Sequence, residues 1–138
     1  MNLVLPSPPQ ATTSSRTSVW IGRVLTGIIA SFLLVDAVAK LIPLAPVVEG
    51  TRRLGFSVDV IRPLGLVLAV STLLHLARRT QLLGAVLVTA YLGGATATHV
   101  HAATPFWFPV VMGVLFWIAY GLRNPQLRAL VLSPRSST

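Results

Sequence analysis

Four apolar stretches fill most of the 138 residues: about Val19 to Ile42, Pro63 to Ala77, Gln81 to His99, and Pro105 to Leu122. A helix needs roughly 20 apolar residues to cross the hydrocarbon core of a bilayer. Four such stretches leave almost no chain from which to build a water-facing surface. Charged residues make up only 10% of the sequence, against about 25% in a soluble domain. Strict apolar-polar alternation is absent, which argues against a β-barrel. The expected architecture is all-α: a single-domain integral membrane four-helix bundle, residues 19–130, flanked by disordered tails at 1–18 and 131–138.

The segment between the first and second stretches is more polar. Pro46 suits the first turn of a helix and Gly55 suits the position just past its end. A short amphipathic helix over VVEGTRRL (residues 47–54) is therefore expected there, lying on the membrane surface. Arg78-Arg79 make a tight basic turn between the second and third stretches. A polar tail with Arg123, Arg128 and Arg135 follows the fourth. Phe106, Trp107 and Phe108 at one end of the fourth stretch, and Trp117 and Tyr120 at the other, read as interfacial aromatic belts.

The net charge of +8 suggests nucleic acid in a soluble protein. Here the basic residues flank apolar runs, where they anchor helices to headgroups, so no nucleic-acid partner is expected. With four crossings both termini share a side. That side holds seven of the eleven Lys and Arg and the other holds four, which favours cytoplasmic termini in an inner (plasma) membrane. The Ala37-Val38-Ala39 string resembles a cleavage site after an apolar run, but the later spans need a partner helix, so the first span is read as retained. No cysteine is present, which removes disulfides and thiol chemistry.

Lipid supplies no hydrophobic force between helices, so small residues that let backbones approach take over that role. On the third span Ala85, Thr89, Gly93 and Ala97 form one ridge and Ala90, Gly94 and Thr98 the next. That side is expected to face the bundle.

Asp36 is the costliest residue. A carboxylate at mid-membrane costs about 2.5–3.5 kcal/mol on insertion scales and is by default a functional hypothesis. Lys40 lies four residues on, on the same face. The pair is either a structural ion pair with Lys40 reaching for the interface, or a proton-handling group facing a cavity. His75 shares a face with Ser71 and Thr72 and is expected among headgroups, since Arg78 follows three residues later. His99 and His101 are two apart, so on a helix they point roughly 200° from each other. They do not make a two-histidine metal site, and no metal is expected.

Several segments resemble one family. They are GRVLTGIIASFLLVDAVAKLI (residues 22–42), PVVEGTRRLGF (46–56), RPLG (62–65) and AYLGGATATHVHA (90–102). Their order and spacing are similar to the DoxX-like family of small four-helix membrane proteins, over about residues 22–130. The resemblance implies that fold. DoxX itself is described as the small membrane subunit of a thiosulfate:quinone oxidoreductase, while other relatives are accessory or folding factors. By family matching, Asp36, Lys40, Glu49, Arg62 and His99 fall on recurrent polar positions.

Asp36 and His99 are accordingly the candidate catalytic residues. Lys40, Glu49, Arg62, Tyr91 and His101 are the candidate ligand-binding residues. The first functional expectation is a quinone- or lipophile-binding component of a membrane redox system, served by a redox partner protein and holding no covalently bound cofactor. The alternatives are a membrane-embedded acid–base enzyme on a lipophilic metabolite, and a non-catalytic assembly subunit. Homo-oligomerisation is left open.

Overall fold

The computed structural model describes residues 16–132, with side chains through residue 129. The helices are α1 (Arg16–Leu41), α2 (Ala45–Arg53), α3 (Ile61–Leu76), α4 (Gln81–His101), α5 (Trp107–Arg123) and α6 (Pro125–Leu132), with a single 3₁₀ turn at Val58–Val60 leading into α3. The expected disorder of 1–18 and 131–138 falls mostly outside the described residues. Within them, Arg16–Ser18 belong to α1, and Val131 and Leu132 to α6.

The molecule is an all-α bundle of the kind a bilayer requires. With the 3₁₀ turn counted into α3, three helices, α1, α3 and α4, are long and apolar enough to cross a membrane. α5, with 17 residues, is about 26 Å long at 1.5 Å per residue, slightly shorter than the hydrocarbon core of ~30 Å. Large apolar side chains point outward: Trp20 is 65% exposed and Val35 69%. Thr26, Ser71, Thr72 and His75 are buried. In water that distribution would be ruinous, whereas lipid is a good solvent for the outer surface and a poor one for the inner groups.

The buried hydroxyls do not need ligands. Thr26 donates to the Gly22 carbonyl, Ser71 to Val67 and Thr72 to Leu68, each four residues back. This back-bonding satisfies them within their own helices.

Three close crossings hold the bundle, each built on one glycine. At Gly22 an added Cβ would meet the Arg123 backbone nitrogen at 2.8 Å, where α1 crosses α5. At Gly65 it would meet the Ala37 carbonyl at 2.9 Å, where α1 crosses α3. At Gly84 it would run into the His75 backbone, where α4 folds back on α3. Between these crossings Leu33, Leu68, Val88 and Phe116 form the core.

The expected small-residue face of α4 is not the inner one. Of its two ridges only Ala85 is buried, and Thr89, Ala90, Gly93, Gly94 and Ala97 are exposed. The inner face runs through Gly84, Ala85, Val88 and Leu92. α4 touches α3 closely only at Gly84, and beyond it Val88 and Leu92 fill the space, so residue size alone does not identify the buried side.

α2 begins with Pro46 in its first turn and ends at Gly55, whose φ of +87° is the left-handed conformation glycine adopts freely. Phe56 donates to the Thr51 carbonyl and Gly55 to Arg52, the two bonds of a Schellman cap. Beyond α5, where a polar tail was expected, α6 packs back against α5.

Candidate functional site

α1 and α4 lie across the bundle from each other, each packed on α3 and α5. Both run toward one end, where the N-terminus of α5 meets them and the three helices do not close on each other. They leave a cavity of about 400 Å³, roofed by Thr51, Leu54 and Phe56 from α2 and the loop after it. Phe32 on α1 meets Phe108 on α5 edge to face, centroids 5.7 Å apart, and the two rings form part of the apolar wall with Leu33 and Met112.

Four of the sequence-derived site residues line this cavity: Asp36, Lys40, Tyr91 and His99. Asp36 sits near the C-terminal end of α1, and Lys40 Nζ donates to its carboxylate at 2.5 Å. The lysine side chain is the more buried of the two, at 15% exposed against 36%. It therefore turns toward the cavity rather than out to the headgroups. Tyr91 reaches the same cavity from α4.

His99 occupies the last turn of α4, seven residues after the buried Leu92, two full helical turns further along the same face. Its ring is held from behind. The Thr104 hydroxyl donates to the His99 carbonyl at 3.2 Å, and its oxygen lies 2.9 Å from Nδ1. A hydroxyl that has given its proton to a carbonyl can only accept from the ring. Nδ1 is thus assigned the proton, which leaves Nε2 as the acceptor atom.

The turn that supplies Thr104 is another Schellman cap. Thr104 donates its backbone N–H to His99 and Ala103 to Val100. Here the left-handed position is filled by Ala103, φ +52°, where a side chain is disfavoured.

The remaining three candidates lie elsewhere. Glu49 is exposed on α2 and pairs with Arg53 four residues on, at 3.2 Å. Arg62, at the start of α3, is exposed and does not line the cavity. His101 is exposed at the end of α4, two residues and roughly 200° round from His99. Sequence reasoning passed over Thr51, Phe56, Thr98 and Thr104. Phe56 had a signal in the Gly55 helix stop, which turns the following residue back onto the bundle. Thr104 had none, because its role depends on the left-handed alanine before it.

His75 is the largest departure from expectation. It is 2% exposed, inside the bundle rather than among headgroups. Its Nδ1 lies 3.2 Å from the Gln81 carbonyl and its Nε2 3.5 Å from the Arg123 guanidinium. The ring packs at a tilt on Phe116, centroids 4.5 Å apart, and edge to face against Tyr120 at 5.2 Å. Arg123, expected in a polar tail, and Tyr120, expected in an aromatic belt, both turn inward to meet it. With its amide oxygen turned to the guanidinium, the Gln81 side chain accepts from Arg123 Nε at 3.2 Å. This cluster lies at the end of the bundle opposite the cavity.

Among the described residues no group of three or more His, Asp or Glu is placed to hold a metal ion. The fold and site define a small all-α membrane protein with a polar-lined cavity near an end of its bundle. The sequence profile of the DoxX-like family matches residues 24–119, and the chain belongs to that family. No curated protein and no solved structure matches it significantly.

Proposed function

We propose that this protein binds a lipophilic carbonyl compound, a quinone being the best fit, in the cavity between α1, α4 and α5, as a component of a membrane redox system. The observation that carries the reading is the composition of the cavity wall. A volume of about 400 Å³ lies in the usual range for small-molecule sites, which are mostly apolar with a few placed polar groups. Here the polar groups are one ammonium, one phenol, one imidazole, one carboxylate and two threonine hydroxyls bonded back to their own helices, on a wall of Phe, Leu and Met.

That donor set fits a quinone ring. Lys40 Nζ and the Tyr91 hydroxyl can donate to a ring carbonyl, and Phe32, Phe108 and Met112 offer apolar surface to the ring faces. Asp36 holds Lys40 in place through their ion pair. His99 Nε2 can take up a proton and pass it on. A bound quinone would supply two-electron, two-proton chemistry, with the electrons delivered by a redox partner protein. Arg62 has no part in this arrangement, since it faces away.

A second reading is an acid–base enzyme on a lipophilic metabolite. It is favoured by one feature: the Thr104 contact that leaves His99 Nε2 as a base on the same cavity as Asp36. An assembly role fits less well. The Asp36–Lys40 pair lies within one helix and sets no register between helices.

The orientation we propose has both termini in the cytoplasm of the plasma membrane. The start of α1 lies beside the end of α5, and that end carries most of the arginines. Because the chain has no cysteine, single cysteines introduced at Ser57 and at Arg79 can be labelled from either side of intact cells without background. Labelling of Ser57→Cys from the outside and not of Arg79→Cys is the expected pattern.

The binding proposal is tested by purifying the full chain in mild detergent, identifying extracted small molecules by mass spectrometry, and titrating with a short-chain ubiquinone. Retention of a lipophilic carbonyl compound is expected. Asp36→Asn and His99→Ala should each weaken ubiquinone binding about tenfold, the size of a lost hydrogen bond to a charged group or a buried ring nitrogen. A protein that retains no such molecule and binds none added would end the proposal. Turnover of a metabolite without added electron carrier, abolished by His99→Ala, would favour the second reading.

A further inference from the structure

Two ion pairs of the chain share one design, an acid followed four residues later by a base on the same helix. Glu49 pairs with Arg53 on α2 at 3.2 Å, and Asp36 pairs with Lys40 on α1 at 2.5 Å. Their settings differ. The Arg53 side chain is 74% exposed, whereas that of Lys40 is 15% exposed and lines the cavity. Their bases differ as well. Lys40 is the single lysine among the eleven Lys and Arg residues, and all the others are arginine.

Were pairing the only task at position 40, arginine would serve it better. Its planar fork presents several donors to a carboxylate, and its cation is the less strongly hydrated of the two. Arg53 does bring both Nε and Nη2 to Glu49. What lysine offers and arginine does not is a nitrogen that can give up its proton and act as a nucleophile. The cavity wall holds the groups that such an amine needs. Asp36 balances a cation at Nζ. His99 is left with Nε2 as an acceptor by its contact with Thr104. Tyr91 brings a hydroxyl that can donate to a carbonyl oxygen.

We infer that Lys40 is a reactive amine that holds a lipophilic aldehyde or ketone covalently, as an imine. The inference rests on the reading that the cavity admits a carbonyl compound, and it adds a bond that hydrogen bonding alone does not require. The Nζ ammonium first passes a proton to His99 Nε2, and the neutral nitrogen adds to the carbonyl carbon. The nitrogen then hands a second proton to the oxygen, which gives a carbinolamine. The histidine returns its proton to that hydroxyl, which leaves as water while the carbon–nitrogen double bond forms. Nζ begins as an ammonium and ends as a protonated imine, so the charge facing Asp36 is the same before and after.

The test incubates the full chain in mild detergent with naphthaldehyde and cyanoborohydride, which reduces imines to stable amines. Labelled residues are located by digestion and mass spectrometry. The standard for comparison is the exposed amine that Arg53→Lys introduces, which keeps a carboxylate four residues before it. Lys40 should be labelled about a hundredfold faster than that amine, the low end of what positioned acid–base groups contribute. His99→Ala should remove most of the advantage. Lys40→Arg should keep the ion pair and the thermal midpoint and take no label at that position. A rate at Lys40 no greater than at the exposed amine overturns the inference, even where short-chain ubiquinone binds. An unchanged rate in His99→Ala overturns it too, since the amine would then use no partner in the cavity. Fast labelling of a protein that binds no ubiquinone upholds the amine and ends the quinone reading instead.

Discussion

The two ends of this bundle each hold a histidine among polar neighbours, one buried and one half-buried, and they use it in opposite ways. At the end with the termini, His75 is closed in by Gln81, Arg123, Phe116 and Tyr120, and both of its nitrogens are engaged. At the other end, His99 is held through one nitrogen by Thr104 and lines an open cavity with Asp36, Lys40 and Tyr91. A buried polar cluster in a membrane protein is therefore not by itself a binding site. What separates the two is room beside α4. Gly84 brings α4 against α3 at the closed end; at the cavity end the close crossing, at Gly65, joins only α1 and α3, and Gly94 on the α4 wall touches no neighbouring helix.

The harshest way to break the comparison is to add a methyl group at the closed end. Gly84→Ala puts a Cβ against the backbone of His75, which cannot step aside. Overpacking of this kind costs about 3 kcal/mol at the upper end of its usual range. A large fall in thermal midpoint in detergent is expected. Gly93→Ala, on the same helix, adds the same methyl where nothing lies within 4 Å. It should leave the midpoint unchanged or raise it slightly, since alanine is the better helix former by up to about 1 kcal/mol. Equal effects of the two substitutions would mean that α4 is not packed differently at these two glycines.

A smaller effect should follow from removing one partner of His75. Arg123→Met leaves Nε2 and the Gln81 amide without their donor in a buried setting, at a cost of about 2 kcal/mol. The melting transition should drop, while ubiquinone titration of the folded protein should be unchanged, because the cluster is remote from the cavity. Loss of binding at a temperature where Arg123→Met is fully folded would show the two ends to be coupled.

Tyr91→Phe sharpens the contrast from the other side. It removes one hydroxyl from the cavity wall and leaves the ring that packs against the core. Ubiquinone binding should weaken about fivefold, the net worth of one hydrogen bond, with little change in melting. A binding constant equal to that of wild type would take the phenol out of the site.

The two ends also differ in how far they can be read from the sequence. Helix positions follow from hydropathy, and α1, α3, α4 and α5 begin and end within a few residues of expectation. α2 is equally legible, because Pro46 and Gly55 are local signals with local causes. α6 was passed over as a polar tail, although Pro125 stands where a helix would begin. Asp36, Lys40 and His99 stand out because an ionisable group in an apolar run has to be explained. The rotation of each helix is less legible, since it is set by the partner surface. That is why Gly93 was assigned to the inside and His75 to the outside. Resemblance places Glu49 and Arg62 with the site, and the small-residue face of the third span places His101 there; their distance from the cavity depends on backbone directions and helix rotations that no residue type encodes.

The smallest effect expected is also the one with a sign to check. The caps that end α2 and α4 have the same pair of hydrogen bonds, but one uses Gly55 and the other Ala103 in the left-handed position. A left-handed non-glycine residue costs about 1–2 kcal/mol, partly offset by the greater freedom a glycine loses on folding. Ala103→Gly should therefore stabilise the protein by about 0.5–1 kcal/mol and Gly55→Ala should destabilise it by a similar amount, both read from thermal midpoints. Strain held at one position tends to mark a functional constraint. Here it sits one residue before Thr104, which orients His99. If the alanine serves to hold that threonine against the ring, Ala103→Gly should gain stability yet bind ubiquinone more weakly. A variant that gains stability and binds as well as wild type would make Ala103 an unrelieved strain with no share in the site.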